Sequence, residues 1–291
     1  MPELPEVETV KRGLAVLIVH KKVAHVTYDT DKSFPNDPTS VSQFLVGAEM
    51  VAIRRRAKVL LIDLSSKYSL MIHLKMTGQL VYIGHERFGA GHPNDSLITQ
   101  LPDKSTRVTL EFTDGSHLYF NDQRKFGWVK LIPTAEIEDV PFIQKLGPEP
   151  LEDDFTADIF FERLQRRKNT SIKAAILDQT VLAGVGNIYA DEALWGAKIH
   201  PRTLVKHVSL AQATKLYEEI RYVMNLSIEK GGSTDRNYVN AEGKKGSYID
   251  FARVFRKDGQ TCPECGKEII KIKVAGRGTH LCTNCQKEQT L

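Results

Sequence analysis

The chain has 291 residues, of which 41% are hydrophobic and 26% are charged, and its formal net charge is +4. This length predicts one large or two medium-sized domains with a core of ordinary size. The longest uninterrupted apolar run, residues 14–19, is too short to cross a bilayer, and no basic segment followed by an apolar one marks a secretory signal. These features argue against a membrane protein and favour a soluble, cytoplasmic one.

The first residues place a proline beside carboxylates, in the order Pro2, Glu3, Leu4, Pro5, Glu6. Because residue 2 is small, we expect Met1 to be removed, which leaves a secondary amine at Pro2. Such an amine can form a Schiff base whose iminium cannot lose its charge by deprotonation, and an α-amino group titrates closer to neutrality than a lysine. The alternative is that Pro2 only stiffens the start of a strand or helix.

An amphipathic helix is predicted over residues 6–17, because apolar residues recur there at helical spacing. It would hold the N-terminus against the body of the protein. The pattern then changes to short β runs at residues 23–28, 50–53, 59–64, 70–74, 80–83, 108–112, 118–120 and 128–132. An Asp-Gly pair at 114–115 predicts a hairpin, and residues 85–104 read as a surface loop. The strands predict a sandwich or barrel-like domain.

The second half of the chain is predicted to be helical, which makes the fold class α+β. Its predicted helices are residues 158–166, 172–177, 187–194 and 209–228, the last with a capping box at Ser209 and Gln212 and a Gly-Gly end at 231–232. The expected domain boundaries are 1–133 for the β-sandwich, 134–151 for a proline-rich linker, 152–232 for the helices, 233–250 for a polar loop and 251–291 for a cysteine-containing module.

All four cysteines lie in that last module. Cys262 and Cys265 form one Cys-x-x-Cys pair, and Cys282 and Cys285 form a second pair, with 16 residues between the two pairs. This spacing predicts a tetrahedral zinc site of four thiolates, with two disulfides or free thiols as the alternative. The module is also basic, which favours a nucleic-acid partner over a membrane surface. Its cations are Arg253, Arg256, Lys257, Lys267, Lys271, Lys273, Arg277 and Lys287.

Several polar turns carry candidate nucleic-acid contacts. Lys58 ends a cationic run beside an apolar strand. It is either a solvated strand start or a functional residue, which would contact a phosphate or donate a proton near a reacting sugar. Met76 lies at the tip of a turn over residues 73–80, and a flexible apolar side chain can act as a wedge between bases. Arg124 and Phe126 lie two residues apart in a second turn, where they serve either DNA contact or cross-strand packing.

Two further turns predict phosphate contacts. The Gly-x-Gly at 184–186 lacks the preceding strand of a dinucleotide site, but it leads into a helix at Asn187, whose free N–H groups would suit a phosphate. Arg277 lies between the two cysteine pairs, at the expected tip of a zinc-bound hairpin. It is either aimed at a phosphate or an exposed structural arginine.

Taken together, these residues resemble the bacterial formamidopyrimidine-DNA glycosylases, which excise oxidised purines, over essentially the whole chain. The matching motifs are Pro-Glu-Leu-Pro-Glu at 2–6, Arg-Ala-Lys at 56–58, His-Leu-x-Met-x-Gly at 73–78, Asn-Asp-x-Arg-x-Phe-Gly at 121–127, Leu-Gly-Pro-Glu-Pro-Leu at 146–151, Gly-x-Gly-Asn-Ile-Tyr at 184–189, Gly-Gly-Ser-Thr at 231–234 and Gly-Arg-Gly-Thr-His at 276–280. The resemblance implies an N-terminal β-sandwich, a helix–two-turn–helix domain with a four-cysteine zinc-finger hairpin, and damaged double-stranded DNA bound between them by a monomer associated with the bacterial nucleoid.

The resemblance also implies roles for individual residues. Pro2 would attack C1′ of the damaged nucleotide, Glu3 would act as acid and base, and Lys58 and Arg277 would serve β- and δ-elimination. The implied DNA-binding residues are Met76, Arg124 and Phe126 in the gap left by the flipped nucleotide, Lys173 and Asn187 on backbone phosphates, and Glu6, His73, Lys168 and Tyr238, the last within the base-recognition loop 233–250.

The sequence departs from the family pattern in two places. Ser105-Thr106-Arg107 stands where members commonly carry His-x-His, and Asn169 stands where a lysine is frequent. Arg107 or Lys168 could supply the missing cations.

Two alternatives to this function follow from the same sequence. One is an endonuclease VIII-like enzyme for oxidised pyrimidines, against which stand Leu4, where that branch typically has glycine, and the paired Arg124 and Phe126. The other is a lesion-binding zinc-finger protein without catalytic activity, which a retained Met1 would favour because it blocks the proline nitrogen.

Overall fold

The structure is a computed structural model that describes residues 2–233 and 248–288. The described chain divides into two compact units. Unit 1 contains residues 2–144 together with 228–233, and unit 2 contains residues 145–227 together with 248–288. Among these described residues, no helix is both long and apolar enough to span a membrane.

Unit 1 consists of two antiparallel sheets and one long helix. Its helices and strands are α1 (Leu4–Ile18), β1 (Val23–Tyr28), α2 (Pro38–Ser40), β2 (Met50–Arg56), β3 (Val59–Leu64), β4 (Tyr68–His73), β5 (Gly78–Ile83), β6 (Arg87–Gly91), β7 (Thr106–Phe112), β8 (His117–Asp122), β9 (Trp128–Pro133) and α3 (Pro141–Gln144). One sheet has the strand order β1-β7-β8-β5-β6 and the other β2-β3-β4-β9. Apolar side chains from α1 and both sheets form one core.

Helix α1 is held against the sheets by an unusually close contact. Its inner face buries Leu4, Val7, Val10 and Leu14 completely or almost so. A Cβ at Gly13 would lie only 2.1 Å from Cζ of the buried Phe88 in β6, so only glycine fits there. The predicted helix and its docking role are therefore confirmed.

All eight predicted strands are present, and the Asp-Gly hairpin joins β7 to β8 with Gly115 at φ 82°. The prediction of a surface loop over residues 85–104 was wrong for residues 87–91, because β6 lies there and pairs with β5. Glycines in this strand remove the alternation of side chains that predicts a strand. At Gly91 the backbone has φ 122°, and a Cβ there would lie 2.5 Å from the backbone of Gly78. The predicted linker likewise contains a 3₁₀ turn over Thr134–Asp139 and the short helix α3.

Unit 2 combines helices with a two-stranded hairpin. Its elements are α4 (Ala157–Gln165), α5 (Ile172–Leu177), α6 (Asn187–Gly196), a 3₁₀ turn over Val205–His207, α7 (Leu210–Glu229), α8 (Tyr248–Phe251), β10 (Ile270–Val274) and β11 (Arg277–Leu281). The four predicted helices agree with α4 to α7, and α7 begins with the predicted box, in which Ser209 N–H donates to Gln212 Oε1 at 3.0 Å. The α+β fold class is confirmed.

Candidate active site and metal centre

The N-terminal turn of unit 1 is fixed by reciprocal hydrogen bonds. Glu3 caps α1: its side chain accepts from the backbone N–H of Glu6, and its own N–H donates to Glu6 Oε2 at 2.8 Å. This capping box satisfies N–H groups that the first helical turn would otherwise leave without partners. Pro2 and Glu3 are both buried. The residue predicted to be the nucleophile therefore does not lie on a frayed chain end.

Glu6 also connects this turn to a distant part of the chain. Its Oε1 accepts a hydrogen bond of 3.0 Å from the backbone N–H of Ser233. The preceding Gly232 has φ 93°, and a Cβ there would approach Glu6 Cγ to 3.6 Å. The entry to the predicted base-recognition loop is thus tied to the start of α1. Tyr238 and the rest of that loop up to residue 247 lie outside the described residues.

Lys58 lies in the two-residue turn between β2 and β3, where Ala57 takes a left-handed conformation with φ 52°. Its side chain is only 7% exposed, which rules out a solvated strand start. His73 lies near it, because β4 pairs with β3. Burial lowers the pKa of His73 to about 3, with smaller contributions from the charges of Lys75 and Lys58.

A neutral His73 has a defined tautomer. Its Nδ1 lies 3.0 Å from the backbone N–H of Lys75 and accepts that hydrogen bond. The remaining proton of the neutral ring must therefore be on Nε2, which makes that nitrogen a donor. A buried cation and a neutral donor close together suit an anionic or oxygen-rich ligand such as a phosphodiester.

Two loops cross from one sheet to the other beside each other. Residues 74–77 connect β4 to β5, and residues 123–127 connect β8 to β9. The two predicted turns are therefore sheet-to-sheet connections. The loops are neighbours at both ends. Gly78, which follows the first loop, pairs with Asp122, which precedes the second, and His73, which precedes the first, pairs with Trp128, which follows the second.

One buried carboxylate holds both loops. Asp122 is fully buried and accepts from the backbone N–H groups of Phe126 at 2.8 Å and Gly127 at 2.7 Å. Its other oxygen accepts from the Thr77 hydroxyl and, at 3.2 Å, from the N–H of Arg124. Hydrogen bonds to a carboxylate are the stronger kind, and this one side chain joins the two loops.

The loop side chains nevertheless face outward. Phe126 is 45% exposed, which excludes ordinary core packing. The Arg124 guanidinium lies 4.7 Å from the centre of the Phe126 ring. Met76 is half-buried. An aromatic ring, a guanidinium and a flexible apolar side chain on neighbouring loops are suited to stacking on bases and entering between them.

The departure at Arg107 is explained by its contacts inside the protein. Arg107 is 7% exposed and donates to Asp122 O at 2.7 Å, to Asp29 Oδ2 at 2.8 Å and to Lys104 O at 2.9 Å. It therefore supports the loop of Asp122 from inside, and the idea that it replaces a missing surface cation was wrong. Lys168 is exposed and keeps that role as a prediction.

His92 was missed by the sequence reasoning. It follows β6 directly, and its N–H donates to Gly78 O at 3.0 Å, so it lies beside the Met76 loop. The only signal in the sequence was a histidine in a segment predicted to be a loop.

In unit 2, the predicted phosphate contact at Lys173 was wrong. Lys173 is fully buried, and its Nζ donates to Asp191 Oδ1 at 2.5 Å and to Thr279 Oγ1 at 2.7 Å. Asp191 Oδ2 accepts from the backbone N–H of His280 at 2.9 Å. The ion pair therefore fastens β11 to helices α5 and α6. Because its partners lie far away in the sequence, the local pattern around Lys173 contained no signal of this role.

Asn187 takes part in the same attachment. Its Nδ2 donates to Gly278 O at 3.0 Å, while its Oδ1 has no hydrogen-bond partner among the described residues. Arg277 begins β11 and is exposed. The structure thus brings the predicted residues Asn187 and Arg277 together at the N-terminal end of α6, the end of a helix that favours an anion.

The four cysteine thiols form a compact cluster. All four Sγ atoms lie within 4.8 Å of one another, and the cysteines are free rather than paired in disulfides. Backbone N–H groups point at them: the N–H of Lys267 is the main cause that lowers the pKa of Cys265 to about 6. Four thiols at this separation fit the tetrahedral coordination of one structural zinc ion.

Comparison with known proteins covers the whole chain. Residues 1–129 match the formamidopyrimidine-DNA glycosylase N-terminal domain, residues 146–238 the H2TH domain of the same enzymes, and residues 259–287 a zinc finger found in FPG and IleRS. A formamidopyrimidine-DNA glycosylase of Streptococcus pyogenes is 40% identical over 290 residues, with 99% of this chain and 100% of the relative covered.

Solved structures of similar proteins agree with this. Lactococcus lactis Fpg in complex with DNA containing an abasic site has a TM-score of 0.87 and 34% identity, covering 98% of this chain and 100% of that one. The same enzyme with DNA containing N7-benzyl-Fapy-dG has a TM-score of 0.86 and 34% identity, covering 99% and 100%. With the fixed N-terminal proline, the two crossing loops and the four-cysteine cluster, these matches show that the chain belongs to the formamidopyrimidine-DNA glycosylase family.

Proposed function

We propose that this chain excises oxidised purines, 8-oxoguanine and formamidopyrimidines, from double-stranded DNA and then nicks the strand, with Pro2 as the nucleophile. Family membership makes it a base-excision repair enzyme with glycosylase and lyase activity. The observation that carries the assignment to Pro2 is the buried N-terminal turn, in which Glu3 and Glu6 hold the chain end in one place.

The reaction starts with a bond from the Pro2 nitrogen to C1′ of the damaged nucleotide. The N-glycosidic bond breaks, and the base leaves with its electron pair and takes up a proton. Glu3 protonates the sugar ring oxygen as the ring opens, which gives an iminium between Pro2 and C1′. A carboxylic acid beside the nucleophile is suited to this proton transfer, and Glu3 is the carboxyl group next to Pro2.

The iminium then acts as an electron sink for strand cleavage. Loss of a C2′ proton expels the 3′ phosphate in β-elimination, and a second elimination expels the 5′ phosphate. Lys58 serves the first step and Arg277 the second, and both stabilise the phosphates as they leave. Water finally hydrolyses the iminium and restores the Pro2 amine. The burial of Lys58 supports this role, because a partly desolvated cation acts more strongly on nearby charge.

DNA binding uses the exposed residues of both units. Met76, Arg124 and Phe126 enter the gap left by the flipped nucleotide, an event that costs a few kcal/mol of unstacking. His73 donates from Nε2 to a phosphate, and Lys168 and the N-terminal end of α6 at Asn187 bind the backbone. Glu6 orients the loop that begins at Ser233, in which Tyr238 lies. We expect a monomer that works on the nucleoid in the bacterial cytoplasm.

The test is borohydride trapping on a duplex with 8-oxoguanine opposite cytosine. Borohydride reduces the iminium to a stable amine, so a covalent adduct that maps to residue 2, in protein whose intact mass shows that Met1 is absent, is the expected result. Pro2→Gly should trap much less DNA. Lys58→Ala should still trap DNA but nick it more slowly.

Two results would contradict the proposal in different ways. An adduct on another residue would remove Pro2 from the mechanism. Adduct formation only with an oxidised-pyrimidine duplex would keep the mechanism and change the substrate class.

A further inference from the structure

Two aromatic side chains of unit 1 lie on either side of the contacts made by the His73 ring. The centre of that ring lies 5.8 Å from the centre of the Trp128 ring in β9 and 5.6 Å from the centre of the Phe142 ring in α3. Trp128 is also the strand partner of His73, because β4 and β9 pair in antiparallel fashion. These contacts restrict the imidazole and so help to define the direction in which Nε2 donates.

Each of the two aromatic rings also carries a lysine ammonium. Lys75 Nζ lies 5.7 Å from the centre of the Phe142 ring, and Lys130 Nζ lies 4.8 Å from that of the Trp128 ring. The face of an aromatic ring attracts a cation at such distances. The two lysines, which we call the lysine patch, are therefore held on rings that both contact His73.

The lysine patch has no negative partner of its own. Among the described residues, no carboxylate forms an ion pair with Lys75 or Lys130, and both side chains are half-buried. Burial lowers the pKa of Lys75, and the positive charge of Lys130 lowers it further, so the two charges are close enough to repel each other. Like charges in a half-buried place are unfavourable by themselves, and an anion between them would offset the repulsion.

The lysine patch lies next to the two loops that connect the sheets. Lys75 precedes Met76 in the loop of residues 74–77, and Lys130 lies in β9, three positions after the loop of residues 123–127. A duplex carries one negative charge for about every 1.7 Å of its axis. DNA that meets the outward-facing side chains of these loops therefore brings its phosphates close to the lysine patch.

We propose that Lys75 and Lys130 are further DNA-binding residues, which bind the same phosphate or adjacent phosphates of one strand beside His73. This inference rests on the proposed function, because it requires DNA to reach the loop of Met76. The aromatic rings hold both ammonium groups before DNA arrives, so less side-chain freedom is lost on binding. A lysine binds a phosphate as a point charge, so these contacts add affinity and position the duplex without reading its sequence.

The first measurement is the affinity of the full chain for a duplex with a tetrahydrofuran analogue of an abasic site, over a salt series. Methionine keeps the apolar stem of a lysine and removes its charge. Lys75→Met and Lys130→Met should each reduce the slope of log affinity against log salt by about 1. Between about 50 and 200 mM salt, the wild type should then lose roughly fourfold more affinity than either variant.

Lys67→Met is the matched control for this series. Lys67 is exposed and, like Lys75, has a left-handed backbone, with φ 64° against 50°. It precedes β4, whereas His73 ends that strand, so it lies at the other end of the same strand. The control should keep the slope of the wild type. A wild-type slope in Lys75→Met and Lys130→Met would overturn the proposal.

The second measurement locates the phosphates. In the same duplex, a neutral methylphosphonate replaces each phosphate near the lesion in turn. At the position that a lysine contacts, the wild type should lose affinity, whereas the corresponding methionine variant should lose little more. The positions found for Lys75→Met and Lys130→Met should be identical or adjacent, and positions farther apart would overturn the proposal. Both measurements record binding without chemistry at C1′, so a failure of Pro2 as the nucleophile would appear in borohydride trapping and not here.

Discussion

His73 shows how the fold sets the chemistry of a single residue. An unfolded histidine titrates near 6.5, whereas burial lowers the pKa of His73 to about 3. The folded ring is therefore neutral at pH 7. It can donate from Nε2 while uncharged. A protonated His73 would instead place a second positive charge near that of Lys58.

This lowered pKa predicts a pH dependence of stability. Between pH 6.5 and 3 the unfolded chain binds a proton at residue 73 that the folded protein excludes, so the free energy of unfolding falls as the pH falls through this window. At pH 5 the loss is about 2 kcal/mol, from roughly 1.5 pH units at 1.36 kcal/mol each. Urea unfolding at pH 7.5 and pH 5 measures it. In His73→Asn the loss between the two pH values should be smaller.

The control is His85→Gln, whose native side chain is 74% exposed. It should keep the pH dependence of the wild type. If His73→Asn keeps it as well, His73 is protonated in the folded protein and the neutral donor assigned to it is wrong.

At the scale of elements, the contact between α1 and β6 places the N-terminus. The glycine at position 13 allows the helix to approach the Phe88 ring, which is completely buried. The approach sets the depth of the helix against the sheets, and the capping box at its start then sets the position of Pro2.

Gly13→Ala should therefore lower the free energy of unfolding by about 1–3 kcal/mol, as overpacking does. The sign of this change is informative. In a helix without such a close contact, alanine in place of glycine stabilises the helix by about 1 kcal/mol. Thermal unfolding of both proteins checks it. Val16→Ala, on the face of α1 where the side chain is 76% exposed, should change stability little. A stabilised Gly13→Ala would show that α1 does not contact β6 this closely.

Sequence periodicity was sufficient for α1 and for the strands with alternating apolar residues, because these patterns are local. It missed β6, where glycines replace the side chains that reveal alternation. It also misplaced Lys173 and Arg107. A cation looks the same in a sequence whether it faces solvent or a buried carboxylate, and here the carboxylates lie 18 and 78 positions away. The cysteine spacing and the N-terminal motif could be interpreted from neighbouring residues alone, without knowledge of a distant partner.

At the scale of the whole molecule, two lysines distinguish contact with DNA from support of the fold. Lys168→Met should leave stability unchanged and reduce the slope of log affinity against log salt by about 1, since one phosphate contact is lost. Lys173→Met should instead destabilise the protein by about 3–5 kcal/mol, because Asp191 remains as a buried charge without its ion-pair partner. Filter binding to abasic-site DNA over a salt series measures the slope for each variant, and urea unfolding measures its stability. A Lys173→Met protein of normal stability with a reduced slope would restore Lys173 as a phosphate contact.

The hydrogen bond between Ser233 and Glu6 joins residues that are 227 positions apart in the chain. A ribosome adds about 5–20 residues per second, so the N-terminal turn waits roughly 11 to 45 s after its own synthesis before this partner exists. During that time the amine that would open DNA at C1′ is already present, but its final support is missing. A nascent or truncated chain that ends before residue 233 therefore lacks this hydrogen bond to the N-terminal turn.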